Sequence, residues 1–413
     1  MLNLERYPSV HEVEIRIQAT GLIFRDVVFA MGQYPEAAPL GCECVGEIIA
    51  VGEAVTSLRV GQQVMAIAPK SFAQCVTVHH QLVVPIPPDT STIDAATLPV
   101  AFTTAYYSLC QLAQLPAGER VLIHSAAGGV GQAAVQIAQQ VGTEIFATAS
   151  PSKWDTLRGL GLTHIMNSRT LAFANEIMET TEGKGVDVVL NALPGEFRAK
   201  SLEALGENGR FIEIGKGEGL TIEEIQESRP DVQHFTVDLS KLCEEDPQLV
   251  QTMLRHLSEE VIDGMLRSLP VTNFNRTDVV QAFRKLQQGK HTGKIVLTQE
   301  TRNTAPGSFQ ENATYLVTGG LGGLGLETAQ WMANQGAKRI VLLGRYSPTR
   351  KAQAKIDQLR EKGIAIGIVS ADVTNSDELA AVLIDLKQSA HHPLKGIVHA
   401  AGVLDDSLIE RLS

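Results

Sequence analysis

Two glycine-rich turns, each between an apolar run and a helical pattern, constrain the fold of this chain more than any other feature. The first lies in LIHSAAGGVGQAAVQIAQQVG, residues 122–142, and the second in YLVTGGLGGLGLETAQWMANQG, residues 315–336. A strand, a glycine turn and a helix in succession are typical of the first unit of a doubly wound nucleotide-binding domain. The sequence therefore predicts two such domains. At the first position an ordinary tight turn between strand and helix is the alternative.

The text around these turns predicts further domains. Residues 13–88 carry short apolar runs broken by Gly and Pro, which indicates a mainly β domain. From residue 101 to about 264, apolar strands alternate with helical or turn-rich segments, which indicates a parallel sheet with crossover helices. We expect a β domain over 1–98 that is completed by 268–299, a nucleotide-binding domain over 99–267, a linker over 300–313 and a second nucleotide-binding domain over 314–413.

Composition narrows the class of protein. At 413 residues, with 44% apolar and 20% charged residues, the chain can fill two or three cores. A net charge of -11 argues against a nucleic-acid partner, and no apolar run approaches the roughly 20 residues that span a bilayer. The opening MLNLERYPSV lacks the apolar run of a signal peptide, and five cysteines without a C-x-x-C pair favour a reducing compartment. We therefore expect a cytoplasmic protein.

The first glycine turn has the composition of a dinucleotide pyrophosphate site. Gly128, Gly129 and Gly131 leave room for close approach at a helix N-terminus, and Ala127 and Val130 flank them. Its helix has apolar residues at helical spacing and ends before a glycine, as a helix C-terminus often does. We expect these five residues to contact the cofactor.

The strand after this turn indicates which dinucleotide binds. Enzymes that use NAD usually carry an acidic residue about 20 residues beyond the glycines, where it binds the ribose diol. Here EIFATAS ends without a carboxylate, in Ser150, and Lys153 follows shortly after. A hydroxyl and a cation suit the 2′-phosphate of NADPH. A lysine by itself is also a common surface residue, so Lys153 has a second interpretation.

A family resemblance rests on seven segments, which occur in the order GLIFRDVVFAMGQYPEAAPLG, LPVAFTTAYYSL, VLIHSAAGGVGQAAVQIAQ, IFATASPSKWDTLRGLG, GVDVVLNALPGEFRAKSL, GRFIEIGK and HTGKIVL. They resemble the enoyl reductase domain of modular type I polyketide synthases, in the medium-chain dehydrogenase/reductase superfamily, over about residues 10–298. The resemblance implies an α/β fold with a GroES-like β domain and a doubly wound Rossmann domain, followed here by a truncated second Rossmann domain. It also implies cofactor contacts from Asn191 and Gly215.

The resemblance brings in the question of zinc. Zinc-dependent members of the superfamily use a cysteine near the first turn motif and a histidine in a Gly-His-Glu sequence. Ile23 stands where that cysteine would be, and Cys42 replaces the histidine. Cys42 and Cys44 alone cannot complete a tetrahedral site, so we expect no metal and two small residues packed in the β domain.

The reaction that the resemblance implies is reduction of an α,β-unsaturated thioester on the phosphopantetheine arm of an acyl carrier protein. A hydride from NADPH reaches the β carbon, charge collects on the thioester oxygen, and a proton reaches the α carbon. Residues linked to that proton in the family match Tyr34, Lys216 and Asp238 here. Each also has an ordinary interpretation, as a turn residue, a surface lysine or a solvated carboxylate, and a water could donate instead.

One position departs from the family pattern. The usual motif reads Leu-Asn-Phe-Arg-Asp, whereas this chain reads LIFRD, with Ile23 in place of the amide. We expect the loss of that hydrogen-bonding group to affect rate or substrate choice. A related lineage cyclises a halogenated substrate to a cyclopropane after hydride addition, and the sequence leaves that alternative open.

The second glycine turn resembles that of the ketoreductase domain of the same synthases, a short-chain dehydrogenase fold. Its spacing T-G-x-x-x-G-x-G is carried by Thr318, Gly319, Gly323 and Gly325, and Arg345 ends the next strand, where it can bind a 2′-phosphate. The cofactor segments ADV and HAAG supply Asp372, Val373, Ala400, Ala401 and Gly402. The family's catalytic residues would lie beyond Ser413, so we expect a piece of a longer polypeptide.

Two other functions stay open. The first is a free-standing quinone or enone reductase, against which ENATYLVTGGLGGLG argues because such enzymes normally end near GKIVLT. The second is an inactive cofactor-binding fragment, which exposed apolar edges in the sheet after residue 315 would favour. In the complete synthase we expect a homodimer and contacts with the remaining domains.

Overall fold

The computed structural model describes residues 8–32, 39–214, 222–299, 309–310, 312–388 and 392–402. The chain divides into two compact units, residues 1–300 and 301–413. The finer domain boundaries expected from the sequence stay predictions. In the part of the chain described, no helix is long and apolar enough to cross a membrane.

The first unit begins with a mainly β region. Its first strand, EVEIRIQATGL, alternates buried and half-buried residues along most of its length, the period-2 pattern of a strand with one face in a core. The elements are β1 (Glu12–Leu22), α1 (Phe24–Ala30), β2 (Glu43–Val51), β3 (Gln63–Ile67), β4 (Cys75–His79), a 3₁₀ turn (His80–Leu82), β5 (Val83–Pro85) and α2 (Thr92–Ala95).

A parallel six-stranded sheet with crossover helices follows, as predicted. Its helices are α3 (Pro99–Tyr106, continued as a π-helix over Tyr107–Leu112), α4 (Gly129–Val141), α5 (Trp154–Gly159, after a 3₁₀ turn over Pro151–Lys153), α6 (Phe173–Thr180), α7 (Glu196–Glu203), α8 (Ile222–Ser228), α9 (Leu239–Glu245) and α10 (Pro247–Ile262). Its strands are β6 (Arg120–Ile123), β7 (Glu144–Ala149), β8 (His164–Asn167), β9 (Val186–Asn191), β10 (Leu205–Glu213) and β11 (Gln233–Thr236). The strand order is β11-β10-β9-β6-β7-β8. From β6 the chain first adds β7 and β8 on one side and then β9, β10 and β11 on the other, so the switch point lies between β6 and β9, where doubly wound sheets bind dinucleotides.

The chain then returns to the first sheet through β12 (Val271–Asn275), a 3₁₀ turn (Arg276–Asp278), α11 (Val279–Gln287) and β13 (Lys294–Thr298). Strand β13 pairs antiparallel with β1, with Ala19 opposite Thr298, and parallel with β12. The seven-stranded sheet has the order β12-β13-β1-β2-β3-β5, with β4 on β1. From the sequence we expected a turn, a helix and a strand here, and β12 is an addition, formed where a short segment extends alongside β13.

The second unit repeats the start of the doubly wound pattern. Its elements are β14 (Thr314–Thr318), α12 (Gly323–Asn334), β15 (Arg339–Gly344), α13 (Arg350–Glu361), β16 (Ala365–Ser370), α14 (Ser376–Gln388) and β17 (Leu394–His399). The four strands are parallel in the order β16-β15-β14-β17. Ile368, Ile384 and Ile397 are exposed apolar side chains of this sheet and its last helix.

Candidate active site

A mostly apolar cleft of about 760 Å³ runs between the β region and the parallel sheet of the first unit. It brings together most of the first-unit residues that the sequence assigned to the cofactor or to catalysis, from segments far apart in the chain. Those that line it are Ala127, Gly128, Gly129, Val130, Gly131, Ser150, Lys153 and Asp238. Three others, Tyr34, Gly215 and Lys216, lie outside the described residues.

The glycine turn gives the cleft an open helix N-terminus. Helix α4 begins at Gly129 with no side-chain cap, so its first backbone amides keep their hydrogen-bonding capacity for a ligand. A Cβ on Gly131 would lie 2.5 Å from the Ser125 carbonyl oxygen, so only glycine allows the helix to approach the preceding strand this closely. The helix ends at Val141, and Gly142 follows it in the left-handed conformation (φ 83°), as the sequence predicts. The turn therefore fits a dinucleotide pyrophosphate.

A cationic group lies at the end of the cleft beside β7 and β8. Ser150 and Lys153 follow β7, and Ser168 and Arg169 follow β8. Burial, and secondly the charge of Arg169, lowers the pKa of Lys153. Sequence reasoning missed Arg169. The available signal was a cation two residues after the strand HIMN, but only the fold brings that strand end beside Lys153.

A buried hydrogen-bond cluster supports the loop after β9. Asn191 Nδ2 donates to the Leu193 carbonyl at 2.8 Å and to both carboxylate oxygens of Glu213, and Asn191 Oδ1 accepts from the Leu193 N–H. Arg198 Nε lies 2.8 Å from Glu213 Oε2 in an ion pair that is almost fully buried. The side chain of Asn191 is turned inward and does not line the cleft, although the adjoining residues 192–194 do. The cofactor contact expected of Asn191 stays a prediction.

The opposite end of the cleft is formed by α1 and α9. Asp238 caps α9, since its Oδ1 accepts from the Ser240 and Lys241 N–H groups at 3.1 and 3.2 Å. Arg25 on α1 donates to Ser240 Oγ and to Cys42 Sγ, each at 2.5 Å. Its guanidinium therefore connects α9 with the β region, to which Cys42 belongs. Sequence reasoning did not single out Arg25, although it lies in the quoted LIFRD motif.

The cysteines at this end are buried neutral thiols. Burial raises the pKa of Cys42 to about 11, with Asp26 as the second cause, and burial also raises the pKa of Cys44. Ile23 precedes α1 and lines the cleft, while Asp26 accepts from the Ile23 and Gly41 N–H groups. Among the described residues, no group of three or more His, Cys, Asp or Glu side chains is arranged to hold a metal ion.

The second unit has its own glycine turn at the carboxyl end of β14. Gly319 (φ 65°) would, with a Cβ, come within 2.5 Å of the Ala400 carbonyl oxygen, and a Cβ on Gly325 would lie 2.3 Å from the Gly319 oxygen. Thr318 Oγ1 lies 2.7 Å from His399 Nδ1 and joins β14 to β17. The glycines therefore allow tight turns in a small parallel sheet, as in the first unit.

Two side chains that the sequence assigns to the cofactor of the second unit follow β15 and β16, one exposed and the other hydrogen-bonded within its own loop. Arg345 directly follows β15 and is exposed, with its guanidinium 5.7 Å from the Tyr346 ring centre. Asp372 Oδ1 accepts from the Thr374 N–H and hydroxyl, and these hydrogen bonds lower the pKa of Asp372. Gly323, Val373, Ala401 and Gly402 lie at or near the carboxyl ends of the same strands.

Comparison with known proteins follows the same division. Three family models match: an alcohol dehydrogenase GroES-like domain at residues 9–88, a zinc-binding dehydrogenase at 160–297 and a KR domain at 313–413. A curated relative from the phenolphthiocerol/phthiocerol polyketide synthase of Mycobacterium tuberculosis is 41% identical over 97% of this chain. The chain spans about a fifth of that relative's length, since the match covers 19% of it.

Two solved structures resemble the first unit. The CurK enoyl reductase is 46% identical with a TM-score of 0.68, over 71% of this chain and 93% of its own. The CurF ER cyclopropanase from the curacin A biosynthetic pathway is 41% identical with a TM-score of 0.69, over 72% and 94% of the two chains. These matches confirm the predicted GroES-like and Rossmann fold. The chain belongs to the enoyl reductases of modular polyketide synthases, within the medium-chain dehydrogenase/reductase superfamily, and continues into a ketoreductase (KR) domain sequence.

Proposed function

We propose that this chain reduces the α,β double bond of an enoyl thioester carried on an acyl carrier protein, with NADPH as the hydride donor, in polyketide biosynthesis. The observation that carries the proposal is a mostly apolar cleft that extends from the glycine turn at 128–131 to the polar side chains of Asp238, Ser240 and Arg25. Such a cleft orients a long apolar substrate with few polar contacts. The similarity to the CurK enoyl reductase over nearly its whole chain supports the same reaction class.

NADPH, and not NADH, is the proposed cofactor. Strand β7 ends at Ala149 without a carboxylate, and Ser150, Lys153 and Arg169 line the cleft just beyond it. Two cations and a hydroxyl are suited to a 2′-phosphate, whereas a ribose diol is normally held by an acidic side chain. The amides at the start of α4 would bind the pyrophosphate.

The protein's contribution to the chemistry is mainly orientation and exclusion of water. NADPH, when bound, supplies the hydride that the β carbon of the substrate receives. The cluster of Asn191, Glu213 and Arg198 fixes the backbone of residues 192–194, which form part of the cleft wall. Holding two reactants in a fixed geometry contributes up to several kcal/mol to the rate of such a reaction.

The proton for the α carbon is proposed to come from Asp238, Lys216 or Tyr34. Asp238 lines the cleft at the substrate end, and Arg25 brings a positive charge to the same wall. An Asp238→Asn replacement keeps an oxygen for the cap of α9 but removes the acid. We expect this variant to retain cofactor binding and to lose turnover if Asp238 takes part in the proton transfer.

The test is a turnover assay with crotonyl and 2-methylcrotonyl thioesters of pantetheine, followed by the loss of NADPH absorbance. We expect turnover with NADPH and enoyl thioester, and little with NADH or with a quinone. Turnover of the quinone alone would instead support a free-standing quinone reductase. NADPH binding without any turnover would support an inactive cofactor-binding fragment.

Cyclisation is a second candidate because the CurF cyclopropanase is almost as similar in sequence as CurK. Ile23, which lines the cleft near α1, is the position at which this chain departs from the reductase motif. A γ-halogenated enoyl thioester in the same assay distinguishes the two reactions. A saturated product that keeps its halogen supports reduction, and loss of halide with a ring product supports cyclisation.

The second unit is proposed to bind NADPH through Thr318, Gly319, Gly323, Gly325, Arg345, Asp372, Val373, Ala400, Ala401 and Gly402. Its glycine turn supports this role, because two of these glycines could not carry a side chain without backbone clashes. The proposed partners are the acyl carrier protein and the other domains of a homodimeric synthase. A cytoplasmic location is also proposed, in keeping with five free cysteines.

A further inference from the structure

The segment between α11 and β13 runs along the cleft from its cationic end to its glycine turn. At one end, a Cβ on Gly289 would lie 4.0 Å from Arg169 Nη2. At the other end, the Gly293 N–H donates to the Ala127 carbonyl at 2.9 Å, and Gly293 pairs with Gly128 in a parallel bridge. The four residues from 289 to 292 therefore connect the two places at which the dinucleotide's phosphate groups are proposed to bind.

His291 lies in the middle of this segment and lines the cleft. Its Nδ1 is buried and has no hydrogen-bond partner among the described residues. A buried polar atom without a partner is costly, so each one calls for an explanation, and a ligand that occupies the cleft is one. The imidazole therefore has an unused hydrogen-bonding position on the wall of the cofactor cleft.

The charges around His291 select the ligand. Burial, followed by the charges of Lys153, Lys285 and Lys294, lowers the pKa of His291 to about 4. The ring is therefore neutral near pH 7 and can donate one N–H. The Glu43 carboxylate balances the charge of Lys294, and the positive charges of Lys153 and Lys285 repel cations from this site and attract an anion. Lys153 is the largest of the three charge effects and is the residue already proposed to bind the 2′-phosphate.

We propose that His291 is a further ligand of the dinucleotide's 2′-phosphate and so a determinant of the preference for NADPH over NADH. This inference rests on the proposed function, since it takes NADPH as the cofactor. The Nδ1–H of the neutral ring donates to a phosphate oxygen that Lys153 and Arg169 also approach. The segment from Gly289 to Gly293 thereby adds a cofactor contact from the loop that leads into β13.

The experiment measures the dissociation constants of NADPH and NADH for the full chain by nicotinamide fluorescence, without substrate. We expect His291→Ala to weaken NADPH binding about tenfold, the usual effect of losing one hydrogen bond to a charged group. NADH binding should change by less than about twofold because NADH lacks the 2′-phosphate. His291→Gln, which keeps a donor, should recover part of the NADPH affinity. Lys290→Ala is the matched control, since Lys290 is the exposed neighbour and does not line the cleft.

The opposite results are equally clear. An unchanged preference in His291→Ala, or an equal loss for NADPH and NADH, overturns the inference, and so does a Lys290→Ala effect as large as that of His291→Ala. If His291→Ala fails to fold, the same comparison is made with His291→Leu, which also removes the donor. A wild-type chain that binds NADH as tightly as NADPH contradicts the proposed cofactor itself, which separates that failure from a failure of His291 alone.

Discussion

Replacing Glu43 with Gln should destabilise the first unit strongly because it breaks a buried ion pair. The Glu43 side chain is fully buried and that of Lys294 is 5% exposed, with Lys294 Nζ in contact with Glu43 Oε1. The other oxygen, Oε2, accepts from the Val100 N–H at 2.8 Å. A Cβ on Gly21 would lie 2.2 Å from Oε1, so the carboxylate is packed directly against backbone. One carboxylate thus compensates both an ammonium and an amide.

The magnitude follows from what glutamine cannot do at this position. Its amide has one oxygen, so either the Lys294 ammonium or the Val100 N–H loses its acceptor, and the ammonium loses its compensating charge in any case. Removing one partner of a buried ion pair costs about 3–5 kcal/mol. In a unit of about 300 residues, each kcal/mol of lost stability lowers the melting temperature by roughly 1.5–2 °C, somewhat less than in smaller domains. We therefore expect a decrease of roughly 5–10 °C.

The assay is urea and thermal unfolding of the wild type and three variants. Glu47→Gln is the matched control, since Glu47 lies on the same strand and pairs with Arg16 at 3.4 Å with about a third of its side chain exposed (34%). An exposed pair of this kind contributes less than about 1 kcal/mol. Adding Lys294→Met to Glu43→Gln should restore stability, because the uncompensated charge is removed. Equal effects of the two glutamine variants, or a further loss in the double variant, would refute the reasoning.

Three further predictions concern the first unit. Burial lowers the pKa of His124 from 6.5 to about 3. Below pH 6.5 the unfolded chain therefore binds a proton at His124 that the folded chain does not, and the free energy of unfolding decreases as the pH decreases. By urea unfolding between about pH 6.5 and pH 5, wild type should lose on average about 1 kcal/mol more per pH unit than His124→Asn, with a slope that approaches about 1.4 kcal/mol at the lower pH. Gly293 has φ 68°, and a Cβ there would lie 2.0 Å from a carbonyl oxygen, so Gly293→Ala should lower the free energy of unfolding by more than about 3 kcal/mol. The control is Gly61→Ala, at φ 83° in open surroundings, which should lower it by about 1 kcal/mol. Urea unfolding midpoints measure both losses. Lys153→Ala and Arg169→Ala should each raise the NADPH dissociation constant about tenfold and leave that of NADH within twofold, and an equal loss for both would contradict a 2′-phosphate contact.

The sequence predicts those features that depend on neighbouring residues. A strand, three glycines and an apolar helix are local signals, and each is in its expected position around Gly128 and Gly131. Ser150 directly follows β7 and Lys153 comes shortly after it, so the sequence alone places both near the end of that strand, and their contact with the cofactor stays a prediction. The general architecture came from the ordered motifs of the family and not from any single pattern.

The features that were missed depend on residues that only the fold brings together. Arg169 and His291 line the same cleft as Lys153, although the three residues come from different parts of the sequence. Glu43 and Lys294 are likewise far apart in the sequence and form an ion pair in the fold. The hydrogen bonds of Asn191 to Leu193 and Glu213 are a further example, since the sequence does not show which way an amide at the end of β9 points. The cofactor contact that the family resemblance implies for Asn191 stays a prediction.

The pairing of β1 with β13 has a consequence for how the chain is made. Thr298 leaves the ribosome about 280 residues after Ala19, its partner in the sheet, and at about 5–20 residues per second this interval is roughly 15–55 s. The parallel sheet between them is contiguous and can fold in that time, whereas the end of β1 waits with an open edge. The parallel sheet is therefore complete before the β region, although β1 to β5 are synthesised first, and the unpaired end of β1 is an exposed edge that favours aggregation until β13 is made.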